Sequence, residues 1–325
     1  MIKAGKFLAM LVALSFLTLG QTAYAIPLGL GVPLFDPTSC GAGNDTLGCV
    51  IKNIVDSSGQ LPSLLSALAY MFGITLGVFG VIKLYEHVQN PNQTQLSEGL
   101  KRLMAGSLFL ALPIVLEAAY QTLNANNISA VAISKFSGGT TGDGLDGMMQ
   151  RLMVDIHDPM DYAMKAFCYL GGIVLVMVGI SRLLKSSQEG PRGPGGAGTL
   201  MTFIVAGALL SVDAMMGAWG SSMFSNSTVA NNSVLAYTGG MTGAEQDHVL
   251  GVISTILIFM MILGWVSFIR GWFILRDVAE GGHNASLMAG LTHLFGGALA
   301  VNLGPLMNAV QETLGLTAYG VNFIL

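Results

Sequence analysis

The sequence predicts an all-α polytopic membrane protein with six transmembrane helices arranged as three hairpins. Three observations predict it. Charged residues make up only 10% of the 325 positions while hydrophobic residues reach 52%, and a soluble domain carries about 25% charge. Six long apolar segments follow one another. Basic residues gather in the connection inside each successive pair. The same composition excludes a disordered chain, which would be poor in apolar residues. A net charge of -4 with no basic block gives no expectation of direct nucleic-acid binding.

Residues 1–25 read as a signal peptide. Lys3 and Lys6 precede an apolar run, Phe7 to Leu19, and Ala23-Tyr24-Ala25 supplies the small residues read by a signal peptidase. The run is about 13 residues, short of the roughly 20 that a spanning helix needs. The mature amino terminus then lies in the periplasm of a bacterium, as the periplasmic segment 26–62. Within it Cys40 and Cys49 bracket Gly41 to Gly48. An oxidising compartment allows them to pair; two free thiols are the alternative. Cys168 sits among apolar residues as packing.

Hairpin 1 (63–124) contains spans at Ser63 to Ile82 and Leu103 to Leu123, the second with Glu117 and a kink at Pro113. A periplasmic linker (125–162) follows. From Leu145 to Met164, Met148, Met149, Leu152 and Met153 share a face opposite Asp146, Arg151 and Asp155, which reads as an amphipathic helix on the membrane interface ending near Pro159. Val50 to Val55 reads as a shorter counterpart. Hairpin 2 (163–220) pairs Ala163 to Leu184 with Thr199 to Gly220, across the flexible connector Gly190 to Gly198. A Ser/Asn/Gly-rich linker (221–247) leads to hairpin 3 (248–311), with spans at His248 to Ile269 and within Gly281 to Gln311, and then to a periplasmic tail (312–325). Each span matches a hydrocarbon core of about 30 Å. Continuous rather than alternating apolar runs favour helices over a β-barrel.

Charge sets the orientation. The loops inside the hairpins hold Lys83, Lys101, Arg102, Arg182, Lys185, Arg192, Arg270 and Arg276; the other connections hold Lys52, Lys135, Arg151 and Lys165. Cytoplasmic loops carry the basic excess, so the expected location is the bacterial inner membrane with both mature termini periplasmic. This agrees with the signal peptide.

The hairpins also resemble one another. Gly80-Val81-Ile82-Lys83-Leu84 matches Gly179-Ile180-Ser181-Arg182-Leu183, with a weaker third version at Phe268-Ile269-Arg270. In the second helices Gly106-Ser107-Leu108, Gly207-Ala208-Leu209 and Gly297-Ala298-Leu299 correspond, at spacings of 101 and 90 residues.

Candidate functional residues are polar groups within the spans. Glu117 and Asp213 fall in the periplasmic halves of their helices, where a charge costs from a few to more than 10 kcal/mol unless it faces protein or water. They read either as a polar path or as carboxyls fastening helices together. His293 and Asn302 fit the fastening role. Gly73, Gly77 and Gly80, and Gly171 with Gly172, are sites of close helix approach; packing within the chain and self-association both remain open. The five histidines form no metal motif and no nucleophile elbow occurs, so no catalytic residue, metal or cofactor is expected and the chain is not read as an enzyme.

Leu61-Pro62-Ser63-Leu64-Leu65, Ala69-Tyr70-Met71-Phe72-Gly73, Lys83-Leu84-Tyr85-Glu86-His87, Asn90-Pro91-Asn92-Gln93 and Ala111-Leu112-Pro113 in hairpin 1 resemble the hairpin proteins of type IVB (Dot/Icm) secretion and related conjugation systems, the DotE/IcmC-like group. Leu291-Thr292-His293-Leu294 and Gly296 to Asn302 resemble it too. The family members are commonly single-hairpin proteins, so this chain resembles a fused three-hairpin version. The resemblance implies an inner-membrane channel or scaffold subunit exporting protein or DNA–protein substrates, with the lipid bilayer and other secretion-system membrane subunits as partners. A small-solute or ion transporter using Glu117 and Asp213 is the alternative.

Overall fold

Apolar segments of this length satisfy their backbone groups internally, and the computed structural model is accordingly almost wholly helical. It describes residues 46–59, 61–92, 94–124, 145–189, 196–224, 233–235, 243–282, 286–315 and 322–324, all within one unit, Thr38–Leu325. Helix α1 (Leu47–Ser58) precedes α2 (Leu61–Gln89), α3 (Leu96–Asn124) and α4 (Leu145–Glu189). Then come α5 (Gly196–Leu210), α6 (Val212–Phe224), α7 (Gly243–Ala279), α8 (Leu287–Val301) and α9 (Leu303–Thr313). A short antiparallel pairing of β1 (Ser233–Leu235) with β2 (Asn322–Ile324), Val234 opposite Phe323, joins two segments outside the helices. Thr46 caps α1 by accepting from the Cys49 amide at 3.3 Å, and Ser286 caps α8 by accepting from Ala289 at 3.0 Å. Among the described residues four helices are long and apolar enough to cross a membrane, and six if each of two bent pairs counts as one crossing.

Those bends correct two expected spans. Thr199 to Gly220 is not one straight helix: α5 and α6 meet at 84°. Ser211 Oγ and the Ser211 amide both donate to the Gly207 carbonyl, at 2.8 and 3.1 Å, and Asp213 then sits in the first turn of α6, where free amides and the helix dipole favour a carboxylate. The sixth segment likewise bends by 83° between α8 and α9. Here Pro305 lacks an amide hydrogen and its ring would meet the carbonyl four residues back. Asn302 closes α8 instead, its amide and its Nδ2 both donating to Ala298 O at 3.1 and 2.8 Å. By contrast α3 runs through Pro113 as one helix.

The expected interfacial helix ending near Pro159 is a further correction. Residues 145–164 are continuous with the third apolar segment in a single 45-residue helix, α4, whose rise of about 68 Å far exceeds a hydrocarbon core of about 30 Å. Pro159 leaves the carbonyl of Asp155 without its helical donor, and α1 covers it. A side chain at Gly48 would overlap that carbonyl, while the Gly48 amide donates to Asp155 Oδ2 at 2.8 Å.

Three antiparallel helix pairs, α2–α3, α4–α5 and α7–α8, close on one spacing. Each first helix carries two glycines seven residues apart: Gly73 and Gly80, Gly172 and Gly179, Gly264 and Gly271. A β-carbon at Gly73, Gly172 or Gly264 would lie 2.9, 3.1 or 2.8 Å from the carbonyl of Gly106, Ala206 or Gly297. At Gly80, Gly179 and Gly271 it would meet Leu103, Phe203 and Leu294. This register corrects the sequence alignment at two points. The partner on α5 is Ala206, because a β-carbon at Gly207 would meet nothing within 4 Å. The third counterpart of Gly80-Val81-Ile82-Lys83-Leu84 is Gly271 to Leu275, not Phe268 to Arg270. Gly171 does not serve as its neighbour does: a β-carbon there reaches only Leu209, at 3.9 Å. Gly77 does lie at the close approach, since a β-carbon at Gly106 would stand 2.8 Å from its amide nitrogen, although one on Gly77 itself would meet nothing within 4 Å.

Two buried clusters lie between the pairs. Ala105, Phe109 and Leu112 of α3 pack with Ile173 and Ile180 of α4. Val205, Leu209 and Val212 pack with Met261, Trp265, Phe268 and Trp272 of α7.

Candidate functional site

Polar side chains collect at two levels along α4. At the first, Asp161 and Lys165 stand one turn apart, and Lys165 Nζ lies 2.7 Å from Asp161 Oδ2 and 3.4 Å from Asp213 Oδ1 at the start of α6. Asp213 is therefore not an isolated carboxyl. It is one corner of a partly buried triad that ties the α5–α6 bend to α4. Asp161 is not among the residues expected from the sequence, where Lys165 serves only to mark orientation; the Asp–Lys spacing of four on one helix is the signal that connects them.

At the second level Arg182 donates through Nη1 and Nη2 to Glu280 Oε1 and Oε2, at 2.6 and 3.0 Å, and Arg276 Nε donates to the same Oε1 at 2.6 Å. Arg182 also reaches Thr202 Oγ1 at 3.4 Å, and that hydroxyl donates to Gly198 O at 2.8 Å. A bidentate guanidinium–carboxylate pair of this kind is directional as well as strong, so it fixes α4, α5 and the end of α7 to one another. The hydrogen bonds from Arg182 foremost, and the charge of Arg276, hold the Glu280 carboxyl below its ordinary value of 4.5 against the opposing effect of burial. The folded-state value is the lower one, so the stabilisation is fully present above about pH 4.5 and is lost as pH falls through the folded value. Thermal unfolding in detergent across pH 3 to 7 is expected to show an acid-side loss of stability that is reduced in Glu280→Gln.

The remaining candidates divide. His293 Nδ1 lies 3.0 Å from Ser267 Oγ, whose hydroxyl also lies 3.2 Å from the His293 carbonyl, linking α7 to α8. Asn302 is buried at the α8–α9 bend, and a β-carbon at Gly220 of α6 would be 3.1 Å from its Oδ1. Trp219, next to Gly220, packs edge-on against Phe268 and Phe295, with ring centroids 6.4 and 4.8 Å away. The bent arm α6 is thus seated on α7 and α8. Glu117 lies on α3, but its side chain is outside the described set. Cys49 is disulfide-bonded and Cys168 is free and buried; Cys40 lies outside the described residues, as do the expected signal peptide, residues 1–25, and most of the expected linkers. Among the described residues no group of three His, Cys, Asp or Glu side chains could hold a metal ion.

No family model matches the chain, and no curated protein and no solved structure matches it.

Proposed function

We propose that the chain is an integral inner-membrane subunit of a type IVB-like secretion or conjugation apparatus. In this reading it crosses the bilayer as three hairpins, with basic loops cytoplasmic and mature termini periplasmic, and serves as a channel or scaffold component. The observation that carries the scaffold role is where the polar groups go. Lys165 compensates Asp213, Asn302 bonds its own helix, and Arg182 joins α4 to Glu280. The two ionic contacts fasten helices to one another, and the Asn302 amide is satisfied within its own turn. Between Lys165 and Arg182, α4 holds no charged residue and rises about 26 Å. The two ionic levels therefore bracket an apolar layer near the thickness of a bilayer core, and Asp213 sits toward its edge. The secretion assignment is supported by the resemblance of the Leu61 to Pro113 and Leu291 to Asn302 stretches.

One feature favours the transporter reading. Broken helices are how many transporters form a midplane site, and this chain has two. Both bends are, however, occupied by protein: α6 starts at the Lys165 pair, and Gly220 and Trp219 close over Asn302 and Phe295. Native purification from membranes, with identification of co-purifying chains, tests the proposal. Membrane subunits and ATPases of an export machine are expected. Recovery of a lone chain together with ion-dependent uptake in vesicles would overturn it.

A further inference from the structure

The two inter-pair interfaces are built from equivalent positions. In the glycine register, α4 residues map onto α7 by adding 92, and α3 residues onto α5 by adding 100. Phe109 against Ile173 and Ile180 then corresponds to Leu209 against Trp265 and Trp272. Burial agrees at every one of these positions: Phe109 3%, Ile173 2% and Ile180 3% in the first interface; Leu209 1%, Trp265 3% and Trp272 9% in the second. The rule is directional. The second helix of one pair packs on the first helix of the next, and across the second interface α4 also meets α7 directly, with Cys168 and Leu175 in the same buried cluster.

Two faces are left over, one of each kind. The first helix of the first pair, α2, presents Ile74 and Val81 at the positions of Ile173 and Ile180, and they are 40% and 58% exposed. Gly77 lies between them, its missing side chain directed into open space. The second helix of the last pair, α8, presents Ala300 at the position of Phe109 and Leu209, with Gly296 one turn before it also facing open space. Small residues on an outward helix face permit close helix approach in lipid, where packing rather than hydrophobicity drives association.

We propose that a second copy of this chain docks the α8 face of one molecule onto the α2 face of the next, continuing between molecules the succession that joins the three pairs within one. The contact is heterologous, so copies form a ring if the rotation closes and an open array if it does not. This inference rests on the membrane-embedded part of the proposed function and not on the secretion assignment.

Cysteines at Ile74 and Ala300, in a Cys168→Ala chain, test it in native membranes with a short bismaleimide. The double variant Ile74→Cys/Ala300→Cys is expected to give a ladder of cross-linked multiples. Ile74→Cys alone and Ala300→Cys alone are expected to stay monomeric, and a mixture of the two single variants should stop at the dimer. Gly77→Leu or Gly296→Leu, each at a position where an added β-carbon meets nothing within 4 Å in the chain itself, should abolish the ladder without loss of folded protein. Dimers from Ile74→Cys alone would replace the proposal with a symmetric α2 contact, and monomers throughout would overturn it. Release of the protein by alkaline carbonate would instead sink the membrane reading, and this proposal with it.

Discussion

Alanine at Gly297 is expected to force α8 away from α7, whereas alanine at the neighbouring Gly296 is expected to leave the pair intact or slightly firmer. The contrast follows from where one added carbon would go. At 297 it would stand 2.6 Å from the Phe268 amide nitrogen and 2.7 Å from the Gly264 carbonyl. Both are backbone atoms, so no rotamer change relieves the overlap and the helices themselves must separate. Phe268 and Val301, both fully buried beside the seam, would lose contacts as they did. Overpacking costs about 1–3 kcal/mol and occasionally more; a clash with two backbone atoms belongs at or above the top of that range. At 296 the carbon meets nothing within 4 Å, and replacing a mid-helix glycine by alanine gains about 0.5–1 kcal/mol. Thermal unfolding of the two variants in one detergent reads the difference directly. Equal midpoints would show that the α7–α8 register described here is wrong.

That contrast also marks how far the sequence could be read. Six apolar segments, the basic connections and the kinship of the pairs were visible in composition and order, because membrane burial writes itself in long runs. The register was not. Matching glycine to glycine aligned Gly207 with Gly106 and Gly297, but a helix turns by about 100° per residue, and the residue facing α4 is Ala206. Size on one helical face mattered, not the letter. The repeat of seven residues, from Gly73 to Gly80, Gly172 to Gly179 and Gly264 to Gly271, was present in the text as a pattern and could have been found by that criterion. So could the α8–α9 bend, since Gly304-Pro305 follows Asn302 at once. The bend at Ser211 had no such punctuation. It depends on α6 finding a seat on Phe268, Phe295 and Asn302, and those residues lie far along the chain. Likewise the role of Asp213 was open between a polar path and a fastening, because the residue that compensates it, Lys165, lies on another helix.

Lys165→Met is expected to be among the most damaging single changes in the molecule. The lysine stands between Asp161 and Asp213, at 2.7 and 3.4 Å, and methionine keeps its length while removing the charge. Two carboxylates then share a largely enclosed site with no cation. Removing one partner of a buried pair costs about 3–5 kcal/mol. With the Asp213 side chain still 32% exposed, the lower end, about 3 kcal/mol, is expected. Adding Asp161→Asn and Asp213→Asn to Lys165→Met should recover most of this, since the harm comes from stranded charge and not from lost volume. Asp213→Asn alone should be much milder, because Lys165 keeps its closer partner. Unfolding midpoints of the four chains, together with the amount recovered from membranes, decide the matter. If Asp213→Asn equals Lys165→Met in damage, or abolishes activity while leaving the midpoint unchanged, Asp213 does more than balance a lysine. The bends beside it would then have to be read as part of a transport path.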